Sequence, residues 1–202
     1  MAFSDFGFEE VLTKFKLTHA TAVLFPTVSR TPPPSWLTAS LARITPAMRA
    51  NEKSRSECLI APILTAVREV SGDKLAVFSG ARFDVDPANG LNGECDFLLT
   101  LSPPVYPIRA PVVAMAEAKK ADLDLGMGQC VSEMLAAQAF NRAEQSRDGP
   151  MFGCVTNGDQ WQFLRLDGTR LVSDWKPYSS AVLDELLGAF LAVMREFEAP
   201  SA

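Results

Sequence analysis

Residues 111–120 read Pro-Val-Val-Ala-Met-Ala-Glu-Ala-Lys-Lys, and this stretch constrains the fold more than any other. The run has the length of a strand and is apolar enough for a central one. Two strands precede it, KLAVFSGARFDV at 74–85 and ECDFLLTL at 94–101, joined by the turn-rich DPANGLNG at 86–93. Pro103, Pro104, Pro107 and Pro111 confine the residues after the second strand to an irregular loop.

Helical periods flank this trio. Between 47 and 70, Leu59, Ile60, Ile63, Leu64 and Val67 recur on one face, and Pro62 should kink or locally break the helix. A second helix spans 126–145, with Val131, Met134, Leu135 and Phe140 turned inward. MFGCVT at 151–156 is a fourth strand. Asn157-Gly158 and Asp167-Gly168 then predict two hairpin turns around WQFLRL, 161–166, and RLVSDW, 170–175. A closing amphipathic helix covers 179–197. Upstream, residues 6–17 predict a short helix, 21–25 a strand, Pro32-Pro33-Pro34 a rigid elbow and 35–44 a further helix. The order is helices, three strands, a helix, three strands and a helix, a mixed α/β layer with at least one crossover. Residues 1–45 read as an N-terminal extension and 46–202 as the main domain.

Composition narrows the chemistry. With 202 residues, 48% of them hydrophobic, the chain can bury a real core. No uncharged apolar run reaches the ~18 residues of a membrane span. The N-terminus MAFSDFGFEE is acidic where a signal peptide would be basic, and the four cysteines are spread singly, so a reduced cytoplasmic setting is expected. His19 is the one histidine, which excludes a His-rich zinc site and leaves any Cys nucleophile without a convincing partner. Gly126-Met-Gly128 is only a fragment of a phosphate-loop pattern. The net charge of −5 argues against a chain coated in nucleic acid, but it divides into +3 over 1–82 and −8 over 83–202. The most basic stretch, from Arg43 through Arg49, Lys53 and Arg55 to Arg68, reads as a solvated face or a phosphate-contact surface. Trp36, Trp161 and Trp175 are core or edge residues, or platforms for bases.

The candidate chemistry lies in carboxylates. Strand alternation puts Glu117 and Lys119 on one face, where a carboxylate can hold a hard cation and an ammonium can orient water. Asp96 lies in the preceding strand and Glu57 on the long helix, while Gly126, Gly128 and Gln129 open the next helix. Asp174 and Lys176 repeat the acid-x-lysine spacing without such a frame and read as surface residues.

These residues resemble the PD-(D/E)xK nuclease superfamily, and within it the nuclease domain at the start of type I restriction motor subunits and its stand-alone relatives. The resemblance runs over roughly residues 48–175: a helix with Glu57, a strand, Gly-x-x-Asp-Phe at Asp96, a loop, apolar-Glu117-Ala-Lys119, a helix from Gln129, then Thr156-Asn157-Gly158-Asp159-x-Trp161. It implies a restriction-endonuclease-like αβββαβ core with a mixed sheet flanked by helices, here extended by C-terminal hairpin strands and a helix. It also implies hydrolysis of DNA phosphodiesters with Mg²⁺, or Mn²⁺ in its place. Asp96, Glu117 and the Ala118 carbonyl would then be metal ligands and Lys119 would position the attacking water. Glu57 would hold a second metal or a metal-bound water, and Gln129 would lie near the scissile phosphate. Cys95 stands in place of the proline of the family pattern, which many relatives also lack, and Glu133 where relatives often have tyrosine. The resemblance also suggests a partner subunit within a restriction or defence system. The alternative is a catalytically inactive module acting as a scaffold, a dimerisation element or a nucleic-acid binder. Phe3, Phe6, Phe8, Leu12 and Phe15 of the extension could then pack on a second copy, making a homodimer.

Overall fold

The computed structural model describes residues 1–101, 107–119, 123–146 and 149–198. Pro103 and Pro104 of the expected loop, and Lys120, lie outside the described residues. Helices α1 (Phe8–Lys14), α2 (Ser35–Leu41), α3 (Glu52–Arg55) and α4 (Ala61–Val70) fall in the first third, with strand β1 (Thr18–Ala22) between the first two. Then follow β2 (Ala76–Arg82), β3 (Glu94–Thr100), β4 (Val112–Ala118), α5 (Asp124–Ala143), β5 (Met151–Thr156), β6 (Gln160–Asp167), β7 (Arg170–Asp174), β8 (Tyr178–Ser179) and α6 (Leu183–Glu198).

The strands form one open sheet of mixed polarity, ordered β1-β7-β6-β5-β4-β3-β2, with β8 paired to β6. β4 runs antiparallel to β3 and parallel to β5, so the β4-α5-β5 passage is the crossover. All seven β4 residues are buried, as its apolar run requires. Two cores cover the two faces. One packs α2, α4 and α6 on Phe97, Ala116, Phe152, Trp161 and Phe163; the other packs α5 and the first fifteen residues on Leu98, Met115, Val155 and Leu164. The expected mixed α/β class with helices on the sheet is therefore present. No described helix is long and apolar enough to cross a membrane.

The expected helix over 47–70 is interrupted by a π-turn at Ser56–Ile60, just before Pro62. Pro62 follows directly, as the second residue of α4, just after the Ala61 N–H closes the π-turn on the Ser56 carbonyl. The strand expected at 21–25 falls instead on Thr18–Ala22, a fully exposed edge strand running parallel to β7. Of the apolar residues that suggested it, Val23 is exposed while Phe25 turns inward and packs against Phe152, Phe163 and Tyr178. β8 and a short turn occupy the start of the last predicted helix, which begins only at Leu183.

Residues from the first 45 contribute to both cores. Phe3, Phe6 and Val11 are buried under α5, with Phe8, Leu12 and Phe15 packed around them. Phe3 and Phe6 are thus committed within the chain, while Phe8, Leu12 and Phe15 remain partly exposed. Gly128 is where α5 meets this segment. A Cβ there would come within 2.2 Å of the Phe6 carbonyl oxygen and 2.5 Å of the Gly7 carbonyl carbon. Backbone cannot yield as a side chain does, so Gly128→Ala should lower stability by about 1–3 kcal/mol. Gly149→Ala, with nothing within 4 Å of its Cβ, is the control. Urea denaturation measures both, and equal midpoints would sink the account.

Candidate active site

The site forms where the sheet parts. The β3–β4 ladder ends at Phe97↔Ala116, while β3 stays paired with β2 as far as Glu94. Beyond that point the Ala118 N–H has no β3 backbone partner and donates to Asp96 Oδ2 at 2.9 Å. A cleft of about 220 Å³ opens there, lined by Glu52, Lys53, Ser56, Ser79, Glu94, Asp96 and Ala118.

Alternation along β4 sends Glu117, like Met115, to the α5 face, and Lys119 follows two residues on. Lys119 Nζ donates to Glu117 Oε1 at 2.5 Å and to Gln129 Oε1 at 3.4 Å. Gln129 Nε2 donates to Glu117 Oε2 at 2.8 Å and to Glu133 Oε1 at 3.1 Å. Gly126 permits the close seat of α5, since a Cβ there would lie 2.7 Å from Val155 Cγ1 and 3.0 Å from Lys119 Cγ. Glu117, Lys119 and Gln129 are therefore joined directly, and Asp96 meets the group through the Ala118 N–H.

Burial dominates the electrostatics. Glu117 is 1% exposed. Burial, reinforced by the Asp96 charge and opposed by Lys119, pushes its carboxyl up to about 8. Burial pulls the Lys119 ammonium down, but the Glu117 charge and hydrogen bond outweigh it, and its pKa lies above the ordinary lysine value. Glu133 is fully buried; desolvation, then the Glu117 charge, raise its carboxyl well above the usual range, against the hydrogen bond from Gln129. Burial likewise raises the thiols of Cys95, Cys130 and Cys154, which disfavours thiolate chemistry at these positions. His19 meets Ser173 Oγ at 2.9 Å and the Phe8 ring.

Glu57 does not join the cluster. It is 61% exposed, pairs with Lys53 at 2.9 Å, and lines a separate groove with Trp36, Arg43 and Cys58. Glu52 faces the Asp96 cleft instead, on the helix turn capped by Asn51 Oδ1. Five residues rotate a helix position by roughly 140°, so the two acids cannot share one face. The π-turn adds a residue between Glu52 and the apolar stripe, so counting back from Leu59 at 3.6 residues per turn misjudges the face. Glu133, in the sequence only a departure from the family's tyrosine, joins the group through Gln129. Its signal is the four-residue spacing from Gln129 on one helix face.

Other expected residues are re-sorted. Asp174 is buried at the end of β7, where its Oδ1 accepts from the Leu24 and Trp175 N–H groups; burial raises its pKa. It is no surface residue, whereas Lys176 is 43% exposed and pairs with Glu185. Much of the basic stretch is already neutralised. Arg49 and Arg55 both bind Asp159 in the β5–β6 hairpin, and Arg68 binds Asp73. Lys53, 83% exposed at the cleft, makes a weak surface pair with Glu57. Trp161 is fully buried and cannot stack on a base, while Trp175 is largely exposed.

Among the described residues no three His, Cys, Asp or Glu side chains stand together in a way that could hold a metal ion. Oxygen donors of the kind a hard cation takes are the Asp96 carboxylate and the Ala118 backbone at the cleft wall, and the Glu117 carboxylate on the α5 side of β4. Both Glu117 oxygens already accept hydrogen bonds, so a cation would reach Glu117 by displacing Lys119 or Gln129. No protein-family model and no curated protein matches the chain.

Proposed function

We propose that the protein hydrolyses DNA phosphodiester bonds with Mg²⁺, or Mn²⁺ in its place, in the manner of PD-(D/E)xK nucleases. One observation carries this reading: Glu117, Lys119 and Gln129 are joined by hydrogen bonds at the point where β3 and β4 part, with Asp96 on the departing strand. The order from α4 through β2, β3, β4 and α5 to β5 supports it. When bound, Mg²⁺ supplies charge relief at the phosphate and a more acidic water. Asp96, Glu117 and the Ala118 carbonyl would hold it. Lys119, released from Glu117, orients the water and faces the charge that builds on the phosphate. Gln129 keeps Glu117 turned toward the strand end. Glu52 takes the helix-acid role that the resemblance gave Glu57, and Lys53 meets a phosphate at the cleft mouth.

The inactive-module reading also has an observation in its favour: Glu117 is buried, fully hydrogen bonded and raised toward its neutral form. In that case the protein would act beside a partner subunit that supplies the chemistry. Incubation with plasmid and linear DNA separates the two. Cleavage that needs Mg²⁺ or Mn²⁺ and stops with chelator is the expected result. Intact DNA, with no heat of divalent binding by calorimetry, establishes the scaffold instead.

A further inference from the structure

We propose that Glu133 is a positioning residue of this site, fixing the Gln129 side-chain amide in the one orientation that serves both Glu117 and Lys119. The activity arm of the test rests on the nuclease reading; the geometry does not. Glu133 lies one α5 turn after Gln129 and is fully buried. A primary amide nitrogen carries two protons. Gln129 directs this nitrogen to Glu117 Oε2 and Glu133 Oε1. Its oxygen is thereby left on the Lys119 side, 3.4 Å from Nζ. The flipped amide would set its oxygen against two carboxyl groups and its N–H groups against an ammonium. Glu133 holds this choice even when Glu117 changes partners.

A second observation argues against simple filling of space. Glu133 Oε2 is buried with no hydrogen-bond partner among the described residues. An unsatisfied buried oxygen costs about 1–3 kcal/mol, and an apolar side chain of similar size would avoid this. The role of Glu133 requires an acceptor for Gln129, not a charge.

The test compares Glu133→Gln, Glu133→Leu and Glu133→Met with the wild type. The first readout is solvent exchange of the Gln129 side-chain amide protons by NMR, identified by their loss in Gln129→Leu. The second is cleavage kinetics with Mn²⁺. Glu133→Gln should keep the protection and a kcat within about threefold. Glu133→Leu should exchange at least about tenfold faster and lose about 10–100-fold in kcat with KM little changed. Glu133→Met replaces it if the leucine variant does not fold. Wild-type protection and kcat in Glu133→Leu would overturn the proposal, as would equal losses in Glu133→Gln and Glu133→Leu. If the wild type cleaves nothing, the nuclease reading fails, and the exchange measurement alone decides the role of Glu133.

Discussion

Without divalent metal, the protein loses stability as the pH rises from about 5 to about 8. Glu117 sets the window. Its carboxyl titrates at the ordinary 4.5 when unfolded and at about 8 when folded. Between these values the native state keeps a proton that the unfolded chain has released, so stability falls with rising pH. The contribution is complete below 4.5 and lost once the pH passes through 8. One pKa unit corresponds to ~1.4 kcal/mol, so the window is worth on the order of a few kcal/mol, a large part of a typical domain's stability. Buried Glu133 and Asp174 act with the same sign. Asp159 is shifted the other way: burial raises it, but the Arg49 and Arg55 hydrogen bonds prevail, so it titrates below the window. Urea denaturation across this range, in chelator, measures the slope, and Glu117→Gln should flatten it. A wild-type stability that is constant or climbs over the same range would refute the burial account. Mg²⁺ at pH 8 should restore stability by mass action if it binds the native carboxylates.

Where local physics decides, the sequence was readable. β4 declares itself because a doubly covered strand must be apolar throughout. The Asn157-Gly158 and Asp167-Gly168 hairpins declare themselves because their glycines take φ of +87° and +57°. Distant partners hid the rest. β1 buries none of its five residues, so hydropathy moves the strand onto Leu24 and Phe25. The aromatic residues near the N-terminus are equally consistent with a second chain until α5 is seen lying on them. Asp174 looks like a surface acid because the Leu24 N–H that it accepts is 150 residues away in sequence. In the site, Glu117, Lys119 and Asp96 follow from strand alternation and neighbouring strand ends. The exchange of Glu57 for Glu52 depends on a π-turn that no periodicity announces.

Replacing Lys119 by methionine should lower DNA cleavage by at least about 10²–10³-fold, with the fold retained. Methionine preserves the apolar stem packed near Gly126 and removes only the ammonium. The variant also leaves Glu117 buried beside Asp96 without its cation, so the Glu117 carboxyl should rise further and divalent affinity at neutral pH should fall. Calorimetry at pH 9 separates the two effects. If affinity recovers there and cleavage does not, Lys119 acts on water and phosphate rather than through Glu117. The helix acids give the complementary contrast. Glu52→Ala removes a carboxylate facing Asp96 across the cleft and should reduce cleavage about tenfold or more; Glu57→Ala removes half of an exposed pair and should change it by less than about twofold. A larger loss from Glu57→Ala than from Glu52→Ala would mean that DNA enters along the groove of Trp36, Arg43 and Cys58, on the other side of the helix. Glu57 does pair with Lys53, which lines the β3–β4 cleft, so Lys53→Met measures how much of any Glu57→Ala loss passes through that ammonium.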